Sequence, residues 1–170
     1  MTSPVITTAA ETADHASQIE AIHAAAFGPG RYARAAFRIR EGGPHEMSLS
    51  RVALCGDEVI ASVWMTPIVI GGAPALLLGP LAVAPSHMNQ GIGRKILRES
   101  MALAKAAEHH LVVLVGDEPY YGPLGFVPVL PLGAFRFPAP VDQKRVLVAE
   151  LTAGALNGVA GLVEHAKRKG

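Results

Sequence analysis

The sequence predicts a mixed α/β fold, and three observations carry that prediction. An apolar strand at 76–83, an amphipathic helix at 91–109 and the apolar run Leu111–Val115 form a β–α–β unit, which needs parallel neighbours and a right-handed crossover. Upstream, Leu49–Cys55 and Val59–Ile70 meet at Gly56-Asp57, a hairpin signal, so part of the sheet is antiparallel. Between the strand and the helix lies the turn Met88-Asn89-Gln90-Gly91-Ile92-Gly93, whose glycines leave the backbone bare.

The elements follow in order. Val5–Thr8 is a short β-rich start. Asp14 is placed to cap a helix running to about Phe27, with Ile19, Ile22 and Ala26 on its inner face. Gly28-Pro29-Gly30 ends it. Arg31–Arg40 reads as a second helix, ended by Gly42-Gly43-Pro44. After the hairpin, Gly71-Gly72 turns the chain into Ala75–Val83, and the three strands pair most simply as an antiparallel meander. Pro80 inside a strand removes a ladder hydrogen bond, which implies a bulge or an unpaired edge. In the following helix Ile92, Ile96, Leu103 and Ala107 make the inner stripe, while Arg94, Arg98 and Lys105 face away. Leu111–Val115, apolar throughout, reads as a strand buried on both faces. Pro128, Pro131, Pro138 and Pro140 then predict irregular or edge structure, and Arg145–Leu151 returns as a strand. For 152–170 a frayed helix and a packed extended tail both stay open. Nothing reads as a repeat or linker, so 1–170 is expected to form a single domain.

Composition narrows the function classes. The chain has 170 residues, half of them apolar and 17% charged, a globular balance rather than a disordered one. A formal charge of +1 gives no long-range pull on nucleic acid or acidic membranes, and no basic run carries interleaved aromatics. The single cysteine, Cys55, excludes an internal disulfide; within Val52–Cys55 it reads as a small buried hydrophobe and fits a reducing compartment. The N-terminus lacks a signal-peptide pattern, and no stretch approaches the roughly 20 apolar residues that span a bilayer. A cytoplasmic protein without nucleic-acid or membrane partners is the expectation. The seven histidines show no metal-ligand spacing, so no metal is expected.

The turn at 88–93 points to an anion. The first four N–H groups of a helix have no internal partner, and the helix dipole adds partial positive charge there. A first turn usually favours Asp or Glu. Here the first charges are Arg94, Lys95 and Arg98, with no acid before Glu99. That bias suits a bound phosphate; a solvated polar face is the plain alternative. A P-loop is excluded, because Gly93-Arg94-Lys95-Ile96 lacks its Gly-Lys-Ser/Thr. Ile96 stands where a dinucleotide turn has its third glycine, although Gly116-Asp117-Glu118 supplies the acid that turn prefers, so this reading is weakened and not eliminated.

From Leu76 to Phe126 the chain resembles the GCN5-related N-acetyltransferase (GNAT) family, and the likeness extends from about Ile6 to Leu151. The family's cofactor motif, Arg/Gln-x-x-Gly-x-Gly/Ala, follows a strand and opens a helix. Met88–Gly93 carries both glycines, with Met88 replacing the leading Arg or Gln. Tyr121-Gly122-Pro123-Leu124-Gly125-Phe126 is similar to the family's Tyr-x-x-x-Gly-Phe segment, and Gly116–Pro119 stands where an asparagine is usual. Leu78–Val83 (Leu-Gly-Pro-Leu-Ala-Val) and Tyr120-Tyr121-Gly122 resemble the bacterial small-GNAT branch. The resemblance implies a GNAT fold: a mixed central sheet of six to seven strands, its central parallel strands splayed, with about four flanking helices. It implies acetyl-CoA (coenzyme A) as cofactor, with contacts at Leu81, Ala82, Val83, Met88, Asn89, Gln90, Gly91, Ile92, Gly93, Arg94 and Tyr121. Gly79-Pro80 would start the splay that receives the pantetheine arm; an ordinary bulge without a ligand is the alternative.

The implied reaction moves an acetyl group from acetyl-CoA to a primary amine by direct attack in a ternary complex. Holding both reactants in one cleft supplies much of the rate. A backbone N–H near Val83 is the expected donor to the oxyanion. Tyr121 is the expected general acid to the CoA thiolate, with Tyr120 as the fallback. A tyrosine whose ring only fills the core is the structural alternative. Glu46, Glu58, His87, Asp117, Glu118 and a water chain all stay open as the base. Arg31, Tyr32 and Arg34 lie where the family's helices flank the acceptor, a small-molecule or peptide amine. Two rival functions remain: a non-catalytic acyl-CoA-binding or sensor module of the same fold, and a nucleotide-binding domain. By analogy the family also offers a homodimer.

Overall fold

A computed structural model describes residues 5–168, and their side chains except at 32, 33 and 168. β1 (Ile6–Ala10), β2 (Arg51–Cys55), β3 (Glu58–Ile70) and β4 (Ala73–Val83) pair antiparallel in succession. Their tight turns use glycine at positive φ, 61° at Gly56 and then 54° and 89° at Gly71 and Gly72, the backbone that matches hairpin twist. β5 (Leu111–Val115) runs parallel to β4 after the crossover through α3 (Ile92–Ala106). β8 (Val146–Glu150) and β6 (Val127–Pro128) extend that side antiparallel. The order is β1-β2-β3-β4-β5-β8-β6, a seven-strand path within a nine-stranded sheet, two strands more than the resemblance implies. β7 (Phe135–Arg136) and β9 (Gly161–His165) lie off that path, joined parallel to each other, with β9 also paired to β3. Three further α-helices, α1 (Ala16–Phe27), α2 (Ala35–Arg40) and α4 (Glu118–Tyr121), complete the fold.

Period-two alternation divides the core between the two sheet faces. Leu76 and Leu78 of β4, Val112 and Leu114 of β5, and Leu147 and Ala149 of β8 meet Ile96 and Leu97 of α3. The intervening Leu77, Val113, Val146 and Val148 meet Ile39 of α2, Phe135 and Val163. A third cluster joins Ile19 and Ile22 of α1 to Val52, Val59 and Ala82. Glu99 of α3 ties that helix to the opposite edge, accepting from Thr8 Oγ1 at 3.0 Å and Arg51 Nε at 2.9 Å.

The structure corrects several local expectations. Asp14 caps no long helix: a 3₁₀ turn at Ala13–His15 precedes α1, and the Thr12 N–H donates to His15 Nδ1 at 3.0 Å. Ala26 is exposed and His23 buried, because the last turn of α1 packs through Phe27 and His23. The second helix is broken at Arg34, whose backbone is extended, into a 3₁₀ segment and the short α2. α3 ends at Ala106, so Ala107 is exposed; Leu97, Ser100 and Ala104 join Ile92 and Ile96 on the inner face, with Leu103 half-buried. Cys55 is half-buried against the core and free.

Within the tail, turns at 153–158 lead to an extended stretch, Gly161–His165. Val163, Glu164 and His165 of β9 pair with Ile70, Val69 and Ile68 on the stretch of β3 that β2 leaves uncovered. The His165 ring packs against Gly43, where a Cβ would come within 2.5 Å of its Cε1, and Nε2 lies 2.9 Å from the Pro44 carbonyl. β9 thereby holds the loop that leaves α2.

Leu76 has no exposed surface and sits between α3 and β5. Leu76→Ala is expected to cost about 2–5 kcal/mol through lost transfer energy and the cavity left behind, read from urea unfolding.

Candidate active site

The site begins where two parallel strands part. The register between β4 and β5 covers only Leu76 with Val112 and Leu77 with Val113. One step on, β4 gains a residue relative to β3: Leu78 faces Met65 and Leu81 faces Val63. The extra residue falls at Gly79-Pro80. Pro80 has no N–H for a ladder, and Gly79 holds φ at 113°, a conformation that side chains rarely adopt. β4 therefore bends while β5 continues into Gly116.

The gap opens into a cleft of about 800 Å³. Leu78–Leu81 and Val83 form one side, and Leu114–Asp117 with Tyr120 and Tyr121 the other. Ala35, Phe37 and Arg40 of α2 contribute another wall, as do Val141, Asp142 and Arg145.

The turn after β4 leads into the N-terminus of α3. Asn89 and Gly91 adopt left-handed backbone, φ 63° and 78°, a geometry that gathers backbone N–H groups into an anion-binding concavity. Gly91 is the N-cap and supplies no side-chain cap, and the first turn holds no acid. A Cβ on Gly93 would stand 3.2 Å from the Tyr120 hydroxyl and 3.3 Å from Val83 Cγ2. The Arg94 guanidinium lies 5.0 Å from the centre of the Tyr120 ring. Tyr120 thus links the bare helix end to the cleft.

A model of the Acetyltransferase (GNAT) family matches residues 16–126. The chain belongs to this family. It is 32% identical over 113 residues to the uncharacterized N-acetyltransferase YhbS of Escherichia coli K12; the match covers 64% of this chain and 65% of the length of that relative. A crystal structure of E. coli YhbS in complex with CoA superposes with a TM-score of 0.78 at 27% identity, over 96% of this chain and 89% of that one. A GNAT family acetyltransferase from Brucella melitensis in complex with acetyl-CoA gives 0.61 at 30% identity, over 72% and 83%. Arrangement and family agree: the mixed sheet, splayed strands and four helices are those of the GNAT fold.

The expected GNAT site residues fall into three groups. Leu81, Val83, Met88 and Tyr121 line the cleft. Asn89, Gln90, Gly91, Gly93 and Arg94 form the adjoining turn and helix start. Ala82 and Ile92 turn their side chains into the core, since β4 alternates and Ile92 begins the inner stripe of α3, so only their backbones border the site. Among the acceptor candidates, Arg34 lines the cleft. Arg31 does not: it is buried, 2.5 Å from Glu20 Oε1, and donates to the Gly28 carbonyl, which makes it a tie between α1 and the following turn. The Tyr32 side chain lies outside the described residues. Of the base candidates only Asp117 reaches the cleft, 3.1 Å from Arg145 Nε. Glu46 instead accepts from Ser48, and His87 bonds to Ser86. Arg40, Phe37, Asp142 and Arg145 were missed as site residues; nothing in a single sequence separates Arg40 from the other arginines of its segment.

Burial sets the protonation of this region. The Tyr121 ring packs beneath Gly116 and 6.0 Å from Phe126. Burial, reinforced by Tyr120 and Asp117 and opposed by Arg145, pushes its hydroxyl up to about 12. His23 lies among aromatic rings, edge-on to Trp64 at 4.7 Å, with Nε2 unpartnered among the described residues. Burial lowers it to about 4, with Glu20 opposing and Arg40, Arg31 and His45 reinforcing. It is therefore neutral at pH 7.

That depression has a stability consequence. Between about pH 6.5 and 4 the unfolded chain binds a proton at His23 that the native state refuses, so stability falls as pH drops through this window. The loss attributable to His23 is on the order of 3 kcal/mol. His23→Phe is expected to flatten that portion of the unfolding free energy, measured by urea titration at several pH values; an unchanged slope would exclude His23 as its source.

Proposed function

We propose that this protein is a cytoplasmic acyltransferase that moves the acetyl group of acetyl-CoA to a primary amine in a ternary complex. The observation that carries the reading is the unpaired edge of β4, from Leu78 to Val83, running directly toward the uncapped N-terminus of α3. A pantetheine arm is a string of amides that can pair with a free strand edge, and a diphosphate suits a bare helix end. The CoA complex of YhbS and the acetyl-CoA complex of the Brucella enzyme support the assignment of the ligand.

In the reaction the amine nitrogen attacks the thioester carbonyl carbon, a C–N bond forms and the C–S bond breaks. Backbone N–H groups of β4, that of Val83 included, are the donors to the oxyanion. Tyr121 gives its proton to the departing thiolate, and the proton that the amine loses as the amide forms restores the Tyr121 phenol by way of solvent. A phenol held near 12 carries its proton at physiological pH, and the same burial makes it a weaker acid than an exposed tyrosine. The rival is a module that binds acyl-CoA without turnover, and the packing of Tyr121 against the core favours it.

Calorimetry with CoA is the first test: a folded protein that gives no heat of association would overturn the assignment. Tyr121→Phe is expected to lower kcat for thiol release by about 10²-fold, a larger effect than on the CoA affinity, since the ring that borders the cleft is kept. An undiminished rate would move the role to Tyr120, and CoA binding without turnover across an amine panel would favour the binding module.

A further inference from the structure

We propose that the acceptor is a small amine that also bears a carboxylate, and that Arg40 is the residue that binds this carboxylate. The proposal rests on the acetyl-transfer reading above and names the substrate class of that same site.

Arg40 closes α2 and lines the cleft where β4 and β5 part. A Cβ on Gly79 would come within 3.2 Å of its Nη2, so the guanidinium lies against the bulge itself. Among the described residues its Nε, sealed from solvent, has no hydrogen-bond partner, and no ion pair includes it. The Phe37 ring, 5.1 Å from the guanidinium carbon, gives it a face but no acceptor. Arg40 also feels its burial, which lowers it to about 9 and still leaves it charged at neutral pH.

A buried cation without a counter-ion is costly, whereas one completed by a planar, bidentate anion is favourable. Each neighbour fails to supply that anion. His23 is neutral, and Glu20 is engaged with Arg31. Asp117 pairs with Arg145, and Asp142 accepts from the Lys144 N–H. The cleft lining holds three arginines against two aspartates, an excess of one positive charge, which matches one carboxylate. The position matters equally. A pantetheine arm laid along the open edge of β4 from the α3 side would run toward the same bulge, so a carboxylate on Arg40 would bring a nearby amine toward the thioester. That serves binding and orientation together.

The test uses the intact protein loaded with CoA and titrated by calorimetry with amino acids and their carboxamides: glycine, β-alanine and leucine against glycinamide, β-alaninamide and leucinamide. The acid of at least one pair is expected to bind about tenfold or more tighter than its amide, the worth of a charged hydrogen-bonded pair. Arg40→Gln is expected to abolish that preference, with the CoA affinity kept within about twofold, and Arg40→Lys to retain part of it. Equal binding within every pair overturns the proposal, as does failure of all three acids to bind. An equal loss for acids and amides in Arg40→Gln also overturns it, by assigning Arg40 to the thioester carbonyl. The acid-to-amide ratio of the unmutated protein is decisive even if a variant does not fold. Failure of the underlying acetyl-transfer reading is distinguishable, because it shows in the first titration as no binding of CoA before any amine is added.

Discussion

The structure depends on one interruption: β4 and β5 pair for two residues and then separate. The cause is local and covalent, an added residue on β4 with a proline that cannot donate and a glycine at a backbone angle open to few others. Had the ladder continued, the sheet would be closed across its middle, and the cleft would not exist. Because the separation begins at Leu78, the remaining length of β4 carries the open edge to the turn at 88–93. The tyrosines of α4 face this edge because β5, still fully paired to β8, carries Gly116 and α4 away from it.

Much of this was legible in the sequence where local chemistry decides structure. The glycine turns, the proline in β4, the evenly apolar β5 and the bare turn before α3 each state their geometry in a few residues. The resemblance then connected them into a fold. Legibility failed where distant packing decides. Thr12 and His15 close the start of α1 by a mutual contact that Asp14 does not share. Arg34 breaks a segment of helix-forming residues because the chain must change direction there to form the cleft wall. For 152–170 the pattern is compatible with two conformations, and within it a vacant length of β3 draws Gly161–His165 into a strand, after turns at 153–158. The site divides likewise: the motif residues were found, whereas Arg40 and Arg145 were not, since only the fold distinguishes a cleft arginine from Arg31, which holds two turns together.

Electrostatics in the cleft follows from scarcity of water more than from abundance of charge. Burial keeps His23 without a proton and Tyr121 with one. Arg40 keeps its charge despite burial, because guanidinium is too basic for this degree of desolvation to neutralise. Arg40 is therefore a buried cation in the wall of the cleft, and the two aspartates of that lining are engaged with Arg145 and the Lys144 N–H.

The clasp of β9 on β3 carries a consequence for how the molecule is made. On the ribosome, β3 emerges before residues 161–165, so its stretch Ile68–Ile70 stays bare until β9 follows. The α2 exit loop, steadied by His165, cannot settle until then either. The nascent chain therefore passes through an interval in which an open strand edge invites chaperones or other chains.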